Sequence, residues 1–453
     1  MDVLDLTRLQ FAVVTIYHYL FVPLSISLAA TAAGLQIAWL RTGADRYLHL
    51  TKLVGKLLMV TFAVGVVTGL VQEFQFGMAW SSFARFYGDV FGPTLAVEGM
   101  LAFFLEATFL ALWHFGWDRL PRALHLATIV VVAIGTLLSA FIILAANSFM
   151  QNPVAYALDP VTDRAHLTSF TALLLNKVNL AAFPHTMAGA VMVGGALLLA
   201  IGVWRLAADP AFRTLARLGA WMTVAGGGLV ALTGDRLGKV ITQVQPMKMA
   251  AAEGLYATTT GAPFSIVTIG HPSIFSLDVP GLLSFLAKGS FGAQVQGIDD
   301  LAAQYAARYG PGNYVPMIPV AFWSFRLMIG AGMLAALVAA FYLLTTRGGR
   351  EPHRSFRRYL PLIPLLPAAA NTIGWIFTET ARQPWLAFGL TKTADGISPG
   401  LTVAEVLASL IGFALVYAVL AVAWLRLVRH LARQPLAPAP LAADDDREPA
   451  PVY

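Results

Sequence analysis

Seven side chains that could bind a metal-containing cofactor or carry protons lie within long apolar stretches of this sequence. They are His18, Glu98, Glu106, His185, Arg326, Met328 and Glu379. A charged group inside a membrane is costly unless it is paired, hydrated or bound to a cation. Imidazole and thioether groups can ligate haem iron, and buried carboxylates can relay protons. The chain can therefore carry redox or proton chemistry if its fold brings these groups together.

Glu379 ends an apolar run and is followed by Arg382 and Trp385. From this segment alone, two interpretations are open. In the first, Glu379 pairs with Arg382 at the membrane surface and Trp385 anchors the helix in the headgroup belt. In the second, the carboxylate binds a cation that the rest of the protein positions.

Arg326 and Met328 lie two residues apart in another apolar run. A guanidinium inside a span needs a counter-anion, which a carboxylate or a haem propionate could supply. One Met among apolar residues usually fills space, and a lone membrane His usually bonds to a neighbouring helix. A His/Met pair would hold haem iron six-coordinate, whereas a single His or Glu ligand leaves a position free for oxygen.

Two further pairs of polar residues have open roles. In a regular helix, Glu98 and Glu106 would lie about 12 Å apart along the axis and roughly 80° apart around it. Both could face one interior groove, or each could pair with a Lys or Arg elsewhere. Lys248 and Glu253 could form an ordinary solvated pair. Alternatively they bind the polar head of a lipid-soluble ligand, and Glu253 accepts a proton.

The composition is that of a polytopic helical membrane protein. Of 453 residues, 58% are hydrophobic and 12% are charged, against about 25% charged in soluble proteins. The net charge of +6 is interpreted as loop charge facing the cytoplasm and not as a nucleic-acid surface. The absence of cysteine excludes disulfides, thiolate metal sites and thioether-linked haem. The acidic N-terminus lacks the basic region of a cleaved signal peptide.

Apolar runs of about 20 residues or more predict about nine spans, near residues 10–38, 53–76, 93–115, 124–148, 181–204, 216–235, 318–345, 359–379 and 403–428. Most Lys and Arg residues near span ends follow the odd-numbered spans. The positive-inside rule then places the N-terminus outside and the C-terminus in the cytoplasm. The domain prediction is spans one to six in 1–235, a folded extracytoplasmic loop in 236–317, spans seven to nine in 318–430, and a disordered cytoplasmic tail in 431–453.

The candidate side chains cluster by depth. With this orientation, each of the seven lies in the outer half or the middle of its span, on the side of the long loop. Unrelated polar residues would be scattered through the membrane. The clustering therefore predicts one shared site beside the loop.

A series of motifs then resembles subunit I of the cytochrome bd-type quinol oxidases, over about residues 5–430. The motifs are Tyr-His-Tyr-Leu-Phe-Val-Pro-Leu at 17–24, Glu-Phe-Gln-Phe-Gly at 73–77 with Trp80, Gly-Asp at 88–89 leading to Glu98-Gly99 and Phe-Phe-Leu-Glu at 103–106, Ala-Asn at 146–147 with Met-Gln-Asn-Pro at 150–153, Gln245-Pro246 with Lys248 and Glu253, Phe-Trp-Ser-Phe-Arg at 322–326 with Met328, and Gly374-Trp375 with Glu379, Arg382 and Gln-Pro-Trp at 383–385. Their order and number carry the resemblance.

The resemblance implies three haems. His185 and Met328 would be the axial ligands of a low-spin haem b, with Arg326 neutralising it. His18 and Glu379 would ligate two high-spin haems, one a haem b and the other the oxygen-reducing haem d or a further haem b. Which of the two residues holds which haem stays open. Arg382 and Trp385 would complete the cofactor-binding set.

The resemblance also implies the remaining roles. Glu98 and Glu106 would serve proton delivery and the haem d pocket, and Lys248 and Glu253 would contact quinol in a loop of the short type. The expected activity is oxidation of quinol and reduction of O2 to water in the bacterial inner membrane. Proton motive force would arise by charge separation without pumping. Expected partners are a second membrane subunit and, as in many relatives, a small single-span one.

Two rival functions make different demands on the sequence. A secondary transporter would need broken helices paired between two repeats and a polar site at the bilayer centre. A haem b anchor that only transfers electrons would need no open coordination site, so Glu379 and Glu98 would have no role.

Overall fold

The computed structural model describes residues 2–269 and 274–436, and nine helical units in this part of the chain are long and apolar enough to cross a membrane. These units are Val3–Thr42, Asp45–Met78, Ser81–Phe115, Arg122–Gln151, Lys177–Trp204, Ala211–Val244, Ile318–Thr345, Arg354–Thr380 and Val403–Arg433. Helices satisfy their own backbone hydrogen bonds, as a lipid environment requires. The predicted helical membrane protein with about nine spans is confirmed.

The helices are α1 (Val3–Tyr19), α2 (Val22–Thr42), α3 (Asp45–Met78), α4 (Ser81–Val97), α5 (Phe104–Phe115), α6 (Arg122–Gln151), α7 (Phe170–Leu174), α8 (Lys177–Trp204), α9 (Ala211–Val244), α10 (Pro246–Glu253), α11 (Leu282–Lys288), α12 (Ile298–Tyr309), α13 (Ile318–Thr345), α14 (Arg354–Tyr359), α15 (Leu365–Thr380) and α16 (Val403–Arg433). Short antiparallel pairs join β1 (Tyr156–Asp159) to β2 (Arg164–Leu167), β3 (Thr259–Thr260) to β6 (Gln294–Val295), β4 (Phe264–Ile269) to β5 (Phe275–Val279), and β7 (Trp385–Ala387) to β8 (Thr391–Lys392).

The first span is broken between α1 and α2, directly after His18. Pro23 lies in the first turn of α2, and a proline ring lacks an N–H and clashes with the carbonyl four residues earlier. The backbone instead makes a tighter turn, in which the Phe21 N–H donates to the His18 carbonyl at 3.0 Å. His18 therefore lies in the last turn of a helix, next to an irregular segment.

The third span contains a π-helical segment between its two carboxylates. Residues Glu98–Phe103 form this segment, and it joins α4 to α5. A π-helical turn holds more residues than an α-helical turn and is frequent at functional sites. The regular-helix geometry predicted for Glu98 and Glu106 is therefore wrong, and their relative direction depends on this bulge.

Helices α8 and α9 pack backbone to backbone. A Cβ placed on Gly219 of α9 would lie 2.3 Å from the Leu199 nitrogen and 2.5 Å from the Gly195 oxygen of α8. Small residues permit this approach in membranes. The contact between the two helices extends to Gly234 of α9, where an added Cβ would lie 3.2 Å from Cε1 of His185 on α8.

Helix α8 begins at Lys177, before the predicted start of this span at residue 181. Helix α8 is continuous through Pro184, so His185 lies within the helix and not at its start. Neighbouring helices and local adjustments let transmembrane helices tolerate proline.

The long segment between α9 and α13 is folded. Helix α9 continues to Val244, further than the predicted loop boundary at 236, and α10 to α12 with β3 to β6 follow. The amphipathic pieces predicted within the loop form α11 and α12. At the C-terminus, α16 continues to Arg433, into the segment predicted as a disordered tail. Residues 437–453 of that tail lie outside the described residues.

Candidate functional site

His18 contacts a threonine and a glycine of α3. Its Nδ1 lies 3.0 Å from Oγ1 of Thr68, and that hydroxyl lies 2.9 Å from the Val64 carbonyl oxygen. A Cβ placed on Gly69 would lie 3.1 Å from Cε1 of the imidazole. Within the described residues Nε2 has no hydrogen-bond partner, so this nitrogen can bind a ligand.

His185 has a similar environment on α9. Its Nδ1 lies 3.4 Å from Oγ1 of Thr233, whose hydroxyl donates to the Leu229 carbonyl at 2.6 Å. A Cβ on Gly234 would lie 3.2 Å from Cε1 of the ring. Both histidines thus bond to a neighbouring helix, which was one of the open interpretations. In each case the bond uses only one ring nitrogen.

Met328 lies on α13 against Gly374 of α15, where an added Cβ would be 2.9 Å from the sulfur. Helix α15 also packs on α8. There, a Cβ on Gly189 would lie 3.0 Å from Oδ1 of Asn371. The helices that carry His185 and Met328 therefore border the same helix, α15.

Arg326 has a carboxylate as its counter-anion. One guanidinium nitrogen lies 2.9 Å from Oε2 of Glu253, and both side chains are almost completely buried. The guanidinium also donates to the carbonyls of Ala252 at 2.5 Å and Ser265 at 2.7 Å, and it lies 3.5 Å from the centre of the Phe322 ring. The pair ties the loop to α13.

Glu253 is poised to exchange a proton near neutral pH. It ends α10, outside the spans. Burial raises the pKa of its carboxyl to about 7, although Arg326 acts in the opposite direction. Burial disfavours the charged form of a carboxylic acid. At neutral pH, the protonated and ionised forms of Glu253 are therefore both available.

Lys248 is buried and is not a solvated partner of Glu253. Its ammonium donates to Oε1 of Gln151 at 2.8 Å and to the Thr378 carbonyl at 3.0 Å. Burial lowers the pKa of Lys248 to about 7, and the nearby charge of Glu379 opposes this shift. The interpretation of Lys248 and Glu253 as a solvated pair is wrong, because each group is buried with partners of its own.

Glu379 is the end of a continuous hydrogen-bond chain that starts at the loop. Lys248 donates to Gln151, Gln151 donates to Oδ1 of Asn147 at 2.9 Å, and Asn147 donates to Oε1 of Glu379 at 3.1 Å. Arg382 forms an ion pair with the other carboxylate oxygen. The loop lysine and the Glu379 carboxylate are therefore joined through side chains of α6.

Asn147 and Gln151 were not selected as site residues from the sequence. Both lie within the motifs that carried the family resemblance, and they are four residues apart, on one face of α6. Two amides at this spacing near the end of an apolar helix are a usable signal, because polar groups inside a membrane need partners.

Trp385 is buried, with only 5% of its surface exposed. Its ring stacks on Tyr314 at 5.5 Å and meets Tyr309 edge-on at 4.9 Å. Arg382 is equally buried. The first interpretation of this segment is therefore correct in pairing Glu379 with Arg382. It is wrong in placing Trp385 in the headgroup belt.

Glu98 and Glu106 have no ion pair within the described residues, so the predicted alternative of pairing with Lys or Arg is wrong. Ser139 of α6 donates to Oε1 of Glu98 at 2.7 Å. Glu106 is buried against Gly135, and its Oε1 has no partner. Both carboxylates face α6, the helix that carries the chain to Glu379.

Several other buried polar atoms also lack partners within the described residues. They include both amide atoms of Gln75, the indole nitrogens of Trp80 and Trp385, and Nε of Arg382. An unpaired buried polar group is costly and needs an explanation, such as water or a bound group.

Comparison with known proteins identifies the family. The sequence model described as "Cytochrome bd terminal oxidase subunit I" matches residues 6–436. The chain belongs to this family. Cytochrome bd oxidases are haem-binding, multi-subunit membrane complexes that use quinol and oxygen. The predicted terminal quinol oxidase function is confirmed, and neither the transporter nor the electron-transfer anchor is favoured.

Similarity to individual bd oxidases extends over nearly the whole chain. Cytochrome bd ubiquinol oxidase subunit 1 of Bacillus subtilis is 40% identical over 93% of this chain and 91% of its own length. The bd-II subunit 1 of Escherichia coli is 34% identical over 95% and 96%. The bd oxidase structure from Geobacillus thermodenitrificans gives a TM-score of 0.86 at 27% identity, over 95% of this chain and 98% of that one. The chain is thus a multi-pass protein of the bacterial inner membrane.

Proposed function

We propose that quinol is oxidised beside Lys248 and Glu253, and that His18, His185, Met328 and Glu379 would hold three haems, with the oxygen-reducing site beside His18 and Glu379. The observation that supports this proposal is the hydrogen-bond chain from Lys248 through Gln151 to Glu379, because it connects the loop with the carboxylate proposed for the oxygen-reducing site. The haems supply the redox centres that take electrons from quinol to oxygen.

The residues fit haem at each proposed position. Both histidines have a ring nitrogen without a partner, and the helices of His185 and Met328 meet at α15. Haem also carries propionates and a large apolar ring, so the unpaired Arg382 and Trp385 nitrogens are suitable donors for it. His185 and Met328 would hold the low-spin haem b. His18 and Glu379 would hold the high-spin haem b and the haem d, or a further haem b in its place.

Glu253 would accept a proton from quinol. Its pKa of about 7 matches the ideal of a general base that titrates near the working pH. Arg326 holds the carboxylate in place and favours its ionised form. Arg326 would thus act on quinol oxidation through Glu253 and, if a propionate lies nearby, also neutralise the low-spin haem. Lys248 would donate to a quinol oxygen from the opposite side of α10.

The pH dependence of quinol oxidation follows from Glu253. Only its ionised form can accept a proton, and the carboxyl becomes ionised as the pH rises through about 7. We expect kcat/KM for quinol to rise between about pH 6 and pH 8 and then level off, provided that quinol itself stays protonated. Steady-state oxygen uptake over this range measures the profile. A Glu253→Gln variant whose residual activity kept the same rise would contradict the assignment.

Protons for oxygen reduction would come from the cytoplasm through Glu106 and Glu98. The Ser139 hydroxyl orients the Glu98 carboxylate, and Glu106 lies nearer the cytoplasmic end of the same span. Because quinol protons would leave on the outer side, charge would be separated across the membrane without a pump. This scheme requires the predicted orientation, with the folded loop outside. It also requires a second membrane subunit, and a small single-span subunit would complete the complex.

Removal of the Ser139 hydroxyl tests the proton route. A hydrogen bond to a charged group is worth about 1.5–3 kcal/mol, so its loss misaligns Glu98. We expect Ser139→Ala to lower turnover with saturating quinol about tenfold while KM for quinol stays near its normal value. Oxygen-electrode kinetics on the purified complex, with Thr42→Ala as the control at an exposed position, provide the measurement. A raised KM at normal turnover would contradict the proton role.

A further inference from the structure

The two histidines contact the same dipeptide, Thr-Gly, on the helix next to their own. These contacts are His18 with Thr68 and Gly69 of α3, and His185 with Thr233 and Gly234 of α9. The two sites lie on different pairs of helices. The same arrangement therefore holds each imidazole independently and does not arise from a single packing contact.

The threonine hydroxyl and a carbonyl of the same helix together determine which ring nitrogen carries the proton, because the rings of His18 and His185 also bond to the backbone of Gly65 and Val230. Thr68 Oγ1 lies 2.9 Å from the Val64 carbonyl oxygen and 3.0 Å from that of Gly65. Carbonyl oxygens only accept, so the single hydroxyl proton points toward them. The oxygen lone pairs then face Nδ1 of His18, and this nitrogen must be the donor. Nε2 is left with a free lone pair.

The same reasoning applies to the second site. The Thr233 hydroxyl donates to the Leu229 carbonyl at 2.6 Å, so it accepts from Nδ1 of His185 at 3.4 Å. The glycine after each threonine leaves space for the ring edge. A side chain at either glycine would press on Cε1, at 3.1 Å in one case and 3.2 Å in the other.

Threonines that bond back to their own helix are common in membrane spans and are not by themselves a signal. Thr51 of α3 and Thr242 of α9 make such bonds, to Tyr47 at 2.7 Å and to Gly238 at 2.8 Å. Neither makes a side-chain contact with a histidine in the described residues. The contact with an imidazole is therefore what distinguishes Thr68 and Thr233.

We propose that Thr68 and Thr233 are positioning residues for the haem ligands, which fix each histidine as the Nδ1–H tautomer and leave Nε2 free to bind iron. This inference rests on the proposed function, because it takes His18 and His185 as ligands. A hydrogen bond from the second ring nitrogen makes a histidine a stronger donor to its metal. The threonines would therefore stabilise oxidised iron and lower the midpoint potential of the haem at each histidine.

The test uses the purified complete oxidase with Thr68→Val or Thr233→Val. Valine keeps the branched shape of threonine and removes the acceptor. Redox titration followed by visible spectra gives the midpoint potential of each haem. We expect Thr68→Val to raise the potential of the haem at His18 alone, and Thr233→Val to raise that of the haem at His185 alone. Thr68→Ser and Thr233→Ser restore the original values, while Thr51→Val and Thr242→Val change neither.

Two further measurements keep the outcomes distinct. His18→Ala and His185→Ala should each abolish one haem signal. If both variants keep every signal, the ligand assignment fails and this inference fails with it. If the signals are lost but both valine variants keep wild-type potentials, or match their controls, only the role of the threonines is overturned. If a valine variant does not assemble, Thr68→Ala or Thr233→Ala takes its place, and the iron–imidazole stretching frequency is measured. An unchanged frequency overturns the proposal.

Discussion

Replacing Glu253 by glutamine is expected to lower quinol-supported oxygen uptake about 100-fold, the lower end of what a general base contributes. Glutamine keeps the size of the side chain and can still accept a hydrogen bond from Arg326 through its amide oxygen. It cannot take up a proton near neutral pH. The loss should therefore appear in kcat rather than in assembly of the protein.

A second electron donor separates the quinol step from oxygen reduction. A small artificial reductant that donates directly to the haems should support nearly normal oxygen uptake in Glu253→Gln. Asp300→Asn, an exposed acid at the start of α12, is the matched control and should retain activity with both donors. If oxygen uptake fell equally with both donors, Glu253 would have a structural role or a role in oxygen reduction, and not one in quinol oxidation.

Replacing Glu379 by glutamine is expected to abolish oxygen uptake with either donor, to below about 1% of the normal rate. The single amide oxygen can still accept from Asn147 or from Arg382, but the NH2 group cannot replace the second acceptor. The change also removes the anionic ligand proposed for the iron. It also leaves Arg382 buried without a counter-charge, and breaking a buried pair in this way costs about 3–5 kcal/mol. Reduced and CO-treated spectra should show loss of one high-spin haem signal.

The low-spin haem proposed at His185 and Met328 would serve as the internal control for Glu379→Gln. Its signal should persist, because His185 and Met328 lie on other helices. Glu351→Gln, at an exposed carboxylate outside the site, should keep all spectral signals and the activity. A Glu379→Gln protein with every haem signal intact would show that this carboxylate is not an iron ligand, and the ion pair with Arg382 would then be its role.

The sequence predicted the spans and their number because a run of apolar residues is a local property. It also selected His18 and His185, since each is an ionisable group that an apolar environment makes costly. What it did not predict were partners distant in the chain. Glu253 bonds to Arg326, 73 residues away, and no local pattern indicates such a contact.

Backbone irregularities account for the other differences. Periodicity assumes a regular helix, so the π-helical segment between Glu98 and Glu106 could not be predicted from their spacing. Pro184 lies inside α8, which stays continuous through it. One of the two interpretations of the Glu379 segment placed Trp385 in the headgroup belt from its type and position. The aromatic residues of the folded loop pack over the Trp385 ring instead. This contact depends on the tertiary structure.

The side-chain relay between Lys248 and Glu379 also has a thermodynamic consequence. Two sites that share one set of hydrogen bonds are linked, and linkage is reciprocal for binding. A ligand that draws Lys248 away from Gln151 weakens the hydrogen bond from Asn147 to Glu379. In turn, a change in the partner of Glu379 alters the affinity for a ligand at Lys248 by the same factor. Ligand affinity at Lys248 is therefore expected to depend on the charge and binding partner of Glu379.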